Sequence, residues 1–185
     1  TESGLPTFTI GENAAWDHWE WNDEIEGTVR QADALYFGTL GQRGETSREG
    51  IRRALAMAQD QNIPRILDIN LRAPFYDDIL IRESIALCSV LKLSDEELER
   101  VTQACELDSS FTSIDALEEL RSNFGLDLVV MTRGSEGALL ISEKGVMEQP
   151  SEPASVVDTV GAGDSFTASM TLGLLEGKDY PQILK

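Results

Sequence analysis

The segment Val157-Asp158-Thr159-Val160-Gly161-Ala162-Gly163-Asp164-Ser165-Phe166 sets a carboxylate inside a glycine-rich turn, and that is where this sequence could do chemistry. Beyond Gly163 the chain becomes densely apolar, with Phe166, Ala168, Met170, Leu172, Leu174 and Leu175. This predicts a helix that is buried nearly all round and whose N-terminus is rigidly held. Two glycines around one alanine let a backbone approach a ligand closely. The unpaired N–H groups of a first helical turn, reinforced by the helix dipole, attract an anion. A cradle built only for phosphate has no use for Asp164, which repels it. A site that takes a proton from an alcohol while phosphoryl charge develops beside it needs both parts. The competing reading is Asp164 as an ordinary helix-start residue. A bare Gly-x-Gly-Asp favours that reading; the longer string does not.

The run from Asp158 to Phe166 resembles the C-terminal signature of the ribokinase-like (PfkB) carbohydrate kinases. The resemblance implies an α/β fold with a small β lid, ATP and magnesium, and phosphorylation of a sugar primary hydroxyl. The nearest branches are fructokinase and 2-keto-3-deoxygluconate kinase. It also implies that Asp164 is the catalytic base and that Gly161, Ala162 and Gly163, with the Asp164 amide, form an anion hole. Asp158 and the carbonyl of Val160 would then hold a monovalent cation such as potassium. Thr132-Arg133-Gly134-Ser135-Glu136-Gly137 resembles the family's nucleotide-contacting turn, which assigns Thr132, Gly134 and Gly137 to the nucleotide. A plain β-turn is the alternative. Ser94 and Glu97 have capping-box spacing, and Glu97 also matches a family Glu that orders magnesium's water shell, although Ser94 stands where Asn is usual. Magnesium keeps most of its waters, so one remote carboxylate suffices.

Asp68-Ile69-Asn70-Leu71-Arg72 resembles a sequence of the same two branches. It makes Arg72 a candidate for substrate or phosphate, against a surface salt bridge, and Asn70 a loop or nucleotide-phosphate residue. Within Gly38-Thr39-Leu40-Gly41-Gln42-Arg43-Gly44, Gly38, Thr39 and Gln42 are weak sugar candidates by the same resemblance. The glycine spacing there does not fit a dinucleotide-binding turn. A non-catalytic nucleotide- or sugar-binding module derived from such a kinase is the alternative from another class. A homodimer formed through the lid is compatible with the family.

These segments need a frame, and the sequence supplies alternating strands and helices. Apolar runs predict strands at Ala34–Phe37, Ile66–Ile69, Val90–Leu93, Leu128–Met131 and Gly137–Ser142, the last in a hairpin with the segment around Val146. Helical periodicity predicts helices over Ser47–Asn62 and Asp77–Leu87, from Ser94 through Cys105, and along Ile114, Leu117, Leu120 and Phe124. Right-handed crossovers then give a mostly parallel central sheet with helices on both faces. Residues 1–185 read as one α/β domain, with residues 5–12 in lid strands. Family segments that precede and follow this region have no counterpart in it, so it reads as the central piece of such a kinase.

Composition removes other classes. Lys and Arg number 15 against 33 Asp and Glu, a formal net charge of −18, which disfavours nucleic acid and anionic membrane surfaces. Cys88 and Cys105 sit among apolar residues and read as reduced thiols, the pattern of a cytoplasmic protein. No apolar stretch is long enough to span a bilayer, and no basic-then-apolar leader opens the sequence. His18 stands alone, which argues against zinc, and Trp16, Trp19 and Trp21 read as packing residues.

Overall fold

Short runs in which almost every residue is apolar must be covered on both faces, and four of them form the parallel core of the sheet. The computed structural model describes residues 9–152 and 159–184. Its strands are β1 (Leu35–Phe37), β2 (Arg65–Asp68), β3 (Val90–Ser94), β4 (Leu128–Thr132), β5 (Ala138–Ser142) and β6 (Gly145–Gln149). They lie side by side in sequence order, β1 to β4 parallel, with β5 and β6 added as the antiparallel hairpin the sequence predicts. The register pairs Asp68 with Lys92 and Ser94 with Thr132, so the carboxyl ends of β2, β3 and β4 share one edge.

Strict sequence order fixes where the helices go. Right-handed crossovers between successive neighbours all pass over the same face. Accordingly α2 (Glu45–Asp60), α3 (Asp78–Leu87), α4 (Asp95–Ala104) and α5 (Ser113–Phe124) cover one side. There Leu55, Ile81, Val101 and Leu117 pack with Phe37, Leu67, Leu91 and Val129. The other face carries Ile66, Val90, Leu128 and Val130, covered by Met170 of α6 (Ala162–Leu175) and Ile183 of α7 (Tyr180–Ile183). Helices therefore lie on both faces, as expected, but unequally.

Boundaries fall within a few residues of those the sequence predicts. Helix α3 starts where Asp77 Oδ1 accepts the Leu80 N–H at 2.7 Å, and α5 ends at Gly125 in the left-handed region. Helix α2 begins at Glu45, before Ser47, because Ser47 serves the tryptophan segment. Its Oγ accepts the Trp19 N–H at 2.9 Å and donates to Trp16 O at 2.5 Å. Arg43 pairs with Asp17 at 2.7 Å and stacks on Phe75 and Trp16. Trp19 and Trp21 are half-buried while Trp16 is 48% exposed beside the Arg43 guanidinium, and no group of three or more His, Cys, Asp or Glu that could hold a metal ion exists among the described residues.

One expectation fails. Helix α6 is not buried all round: Thr167 and Met170 face the sheet and Gly173 packs against Ile183 of α7, while Leu172 is 60% exposed and Leu175 is also open. Its apolar density identifies the helix but not which side is covered. The sequence also does not announce α1 (Asp23–Val29) or α7, which are too short to show periodicity. Residues 1–8, which hold the first half of the expected lid span, lie outside the described residues, and 9–12 form no strand. Among the described residues no helix is long and apolar enough to cross a membrane.

Candidate active site

Gly161 caps α6 with φ of +79°, a left-handed conformation that glycine adopts without strain. The Ala162 N–H donates to Thr159 O at 3.1 Å, and the first intrahelical bond runs from Ser165 N–H to Gly161 O at 2.9 Å. Between them, the amides of Gly163 and Asp164 are first-turn groups with no intrahelical carbonyl to serve. The expected four-residue anion hole thus narrows: the Ala162 amide is spent on the turn itself. Asp164 is exposed in that same turn.

The turn rests on a buried polar cluster. Lys92 Nζ lies 3.1 Å from both oxygens of Asp68, its register partner, and the two side chains are only 7% and 2% exposed. Thr167 Oγ1 is 2.9 Å from Asp68 Oδ2 and 3.0 Å from Gly163 O, which ties α6 to β2. Burial pushes the Asp68 carboxyl above its ordinary range, while Lys92 and Thr167 pull it part of the way back. A Cβ on Gly163 would come within 3.3 Å of Lys92 Nζ, so the turn sits directly over the ammonium.

Two cavities flank the turn at the carboxyl ends of the strands, where α/β sheets bind ligands. One, of about 450 Å³, is lined by Asp164, Asp68, Lys92, Asn70, Arg72 and the Thr159–Gly161 segment. The other, of about 370 Å³, is lined by Thr132, Gly134, Gly137, Ala162, Phe166 and Leu184, among others. Gly163 lines both. The structure thus brings together the turn, Asn70 and Arg72 on one side and the three candidates of the Thr132–Gly137 segment on the other. Among the described residues Arg72 forms no ion pair. Asn70 holds a left-handed φ of +39° at the bend of its loop.

Other candidates are placed differently. Thr39 is 1% exposed and its hydroxyl donates to Ile69 O at 2.8 Å, so its side chain ties β1 to β2 and does not face substrate. Gln42 is likewise buried, with Nε2 donating to Gly38 O and Ser84 Oγ. Arg133 pairs with Glu148 of β6 at 2.6 Å. Glu97 lines neither cavity. Its Oε2 accepts from Ser94 N–H at 2.8 Å and Ser94 Oγ at 2.9 Å, and its Oε1 accepts the Leu71 N–H at 2.7 Å. The carboxylate thereby fastens the Asn70–Arg72 loop to the start of α4. Asp158, the main cation candidate, lies outside the described residues, and Val160 sits exposed beside the turn. The residue that motif reading missed is Lys92, whose signal is a charge inside the otherwise apolar run Val90–Leu93.

Fold and site define an α/β protein of the ribokinase-like class. The chain belongs to the pfkB family of carbohydrate kinases, whose pattern matches residues 3–185. Among its relatives is the aminoimidazole riboside kinase of Salmonella typhimurium, 33% identical over 78% of this chain and 45% of that protein. A fructokinase of Rhizobium leguminosarum bv. trifolii is 33% identical over 77% of this chain and 43% of that protein. A crystal structure of aminoimidazole riboside kinase from Salmonella enterica, complexed with aminoimidazole riboside and an ATP analog, is also similar. It superposes with a TM-score of 0.66 at 29% identity, covering 80% of this chain and 50% of that one. The chain spans about half the length of these relatives.

Proposed function

We propose that this chain carries the phosphoryl-transfer centre of an ATP-dependent sugar kinase, most like a fructokinase, which phosphorylates a primary hydroxyl. The observation that carries this reading is Asp164 in the α6 first turn, between two cavities that share Gly163. ATP would occupy the cavity of Thr132, Gly134 and Gly137, with the acceptor on the Asp164 side. The acceptor hydroxyl gives its proton to the Asp164 carboxylate and its oxygen attacks the γ-phosphorus. The bond from that phosphorus to the β–γ bridging oxygen breaks, and ADP leaves. The free amides of Gly163 and Asp164 stabilise the charge on the equatorial oxygens.

Magnesium, when bound, neutralises phosphate charge. The described residues form no multi-ligand metal cluster, so they fit an ion carried by the nucleotide and its waters, with Glu97 acting only on the surrounding loop or through a water. Arg72, at the cavity wall and in no ion pair among the described residues, favours one second reading, an acidic sugar such as 2-keto-3-deoxygluconate, whose carboxylate it would bind bidentately.

A coupled ADP-release assay on the full-length gene product tests the function, with fructose, ribose, adenosine, aminoimidazole riboside and 2-keto-3-deoxygluconate as acceptors. ADP release with fructose above the others is expected. Preference for the keto acid supports the second reading. Normal nucleotide binding with no acceptor-dependent ADP overturns both in favour of a binding module.

A further inference from the structure

Thr39 and Gln42 turn into the interior, and Arg43 is the residue of the same loop that reaches toward the rim of the acceptor cavity. Its guanidinium donates to both Asp17 oxygens, Nε to Oδ1 and Nη2 to Oδ2 at 2.7 Å each, and the two side chains are 8% and 10% exposed. Nη2 also donates to Gly11 O at 2.6 Å. The guanidinium carbon lies 4.5 Å from the centre of the Phe75 ring and 5.6 Å from that of Trp16. Two of these attachments end at the cavity. Gly11 follows Ile10, which lines it together with Asp164. Phe75 closes a turn with Arg72, its N–H donating to Arg72 O at 2.9 Å, and Arg72 lines the same cavity.

Holding the tryptophan segment on α2 does not require this arrangement. Ser47 already binds Trp16 and Trp19, and the segment packs so closely that a Cβ on Gly44 would lie 2.9 Å from Asp17 O and one on Gly50 2.8 Å from the Trp19 ring. Arg43 Nη1 is buried with no hydrogen-bond partner among the described residues, and a buried donor left unmet costs stability. What the guanidinium adds is a link from Gly11 and Asp17 across to the Phe75 turn. Asp17 balances its charge, so it acts by position and not as a free cation. We infer that Arg43 is a positioning residue that sets the width of the acceptor cavity, bracing Ile10 and Arg72 through Gly11, Asp17 and Phe75. The inference rests on the kinase reading above and deepens it.

Two variants of the full-length gene product serve. D17N/R43M removes both charges at once, so that neither is stranded. R43K keeps the charge but loses the planar fork and the stacking, and decides should the first not fold. KM for the best acceptor and KM for MgATP are measured, with Tm alongside. Expected is an acceptor KM raised ~10-fold or more in the double variant and raised also in R43K, with KM for MgATP within ~2-fold of wild type. A purely structural brace predicts a lowered Tm with both KM values unchanged, and that result overturns the inference. An equal rise in both KM values overturns it as well, because the nucleotide cavity lies on the other side of the turn. Should wild type release no ADP with any acceptor, the kinase reading fails, and calorimetric binding of the same sugars decides for Arg43. Weaker binding in the variants supports the brace; equal binding, or no binding to wild type, refutes it.

Discussion

Charges that have been placed rather than merely exposed decide the chemistry at the scale of single residues. Asp164 is held in a turn by backbone geometry, while Lys92, Asp68 and Thr167 are held by one another beneath it. The first arrangement was legible in the sequence because its parts are contiguous. The second was not, since Asp68, Lys92 and Thr167 meet only through strand register and the packing of α6. Thr39 shows the converse: its loop could be located, but not the inward direction of its hydroxyl. A separate pair, Asp17 with Arg43, makes a pH prediction. The guanidinium holds the Asp17 carboxyl down from 3.8 to about 2. A depressed native pKa means that the stabilisation is complete above about pH 4 and disappears as pH falls through about 2. Urea unfolding midpoints of wild type are therefore expected to fall more steeply between pH 4 and pH 2 than those of D17N. Parallel curves would deny Asp17 that role.

Elements were legible in proportion to their length and to the strength of their pattern. Helices α2, α3 and α5 carry clear periodicity, α3 and α5 with side-chain N-caps as well, and strands β2 to β5 are compact apolar runs. Periodicity failed for α6, because a helix apolar on every side gives no indication of which side a neighbour covers. The hairpin of β5 and β6 depends on one residue at its entrance. Gly137 has φ of +97°, and a Cβ there would lie 2.0 Å from Gln149 O and 2.7 Å from Ser151 N. Neither the backbone conformation nor the space admits a side chain. Gly137→Ala is expected to cost on the order of 2 kcal/mol or more, seen as a lowered Tm. It should also weaken ATP binding, because Gly137 lines the cavity assigned to the nucleotide. An unchanged Tm together with unchanged ATP affinity would contradict that placement.

Across the whole molecule, sequential strand order puts four helices on one face and leaves the other to α6 and α7, so the polar cluster lies under a single helix N-terminus. Alternation of strands and helices predicts a mostly parallel sheet, whereas the sequential strand order, and with it the unequal coverage of the faces, is seen only in the strand pairing. The apolar interior also fixes the thiols: burial pushes Cys88 up to about 12 and Cys105 up to about 11. At pH 8 the native protein should resist maleimide at Cys88, with labelling appearing only in denaturant; rapid native labelling would show that the core between α3 and β3 opens readily. The central claim is that one carboxylate and the amides beside it handle an incoming hydroxyl and a departing phosphate. Its most direct test is the steady-state turnover of Asp164→Asn against wild type, in the full-length gene product with MgATP and its best acceptor. A fall in kcat of ~10²-fold or more is expected, with KM for MgATP changed less than ~3-fold. Turnover near the wild-type value would contradict the assignment of Asp164 as the base.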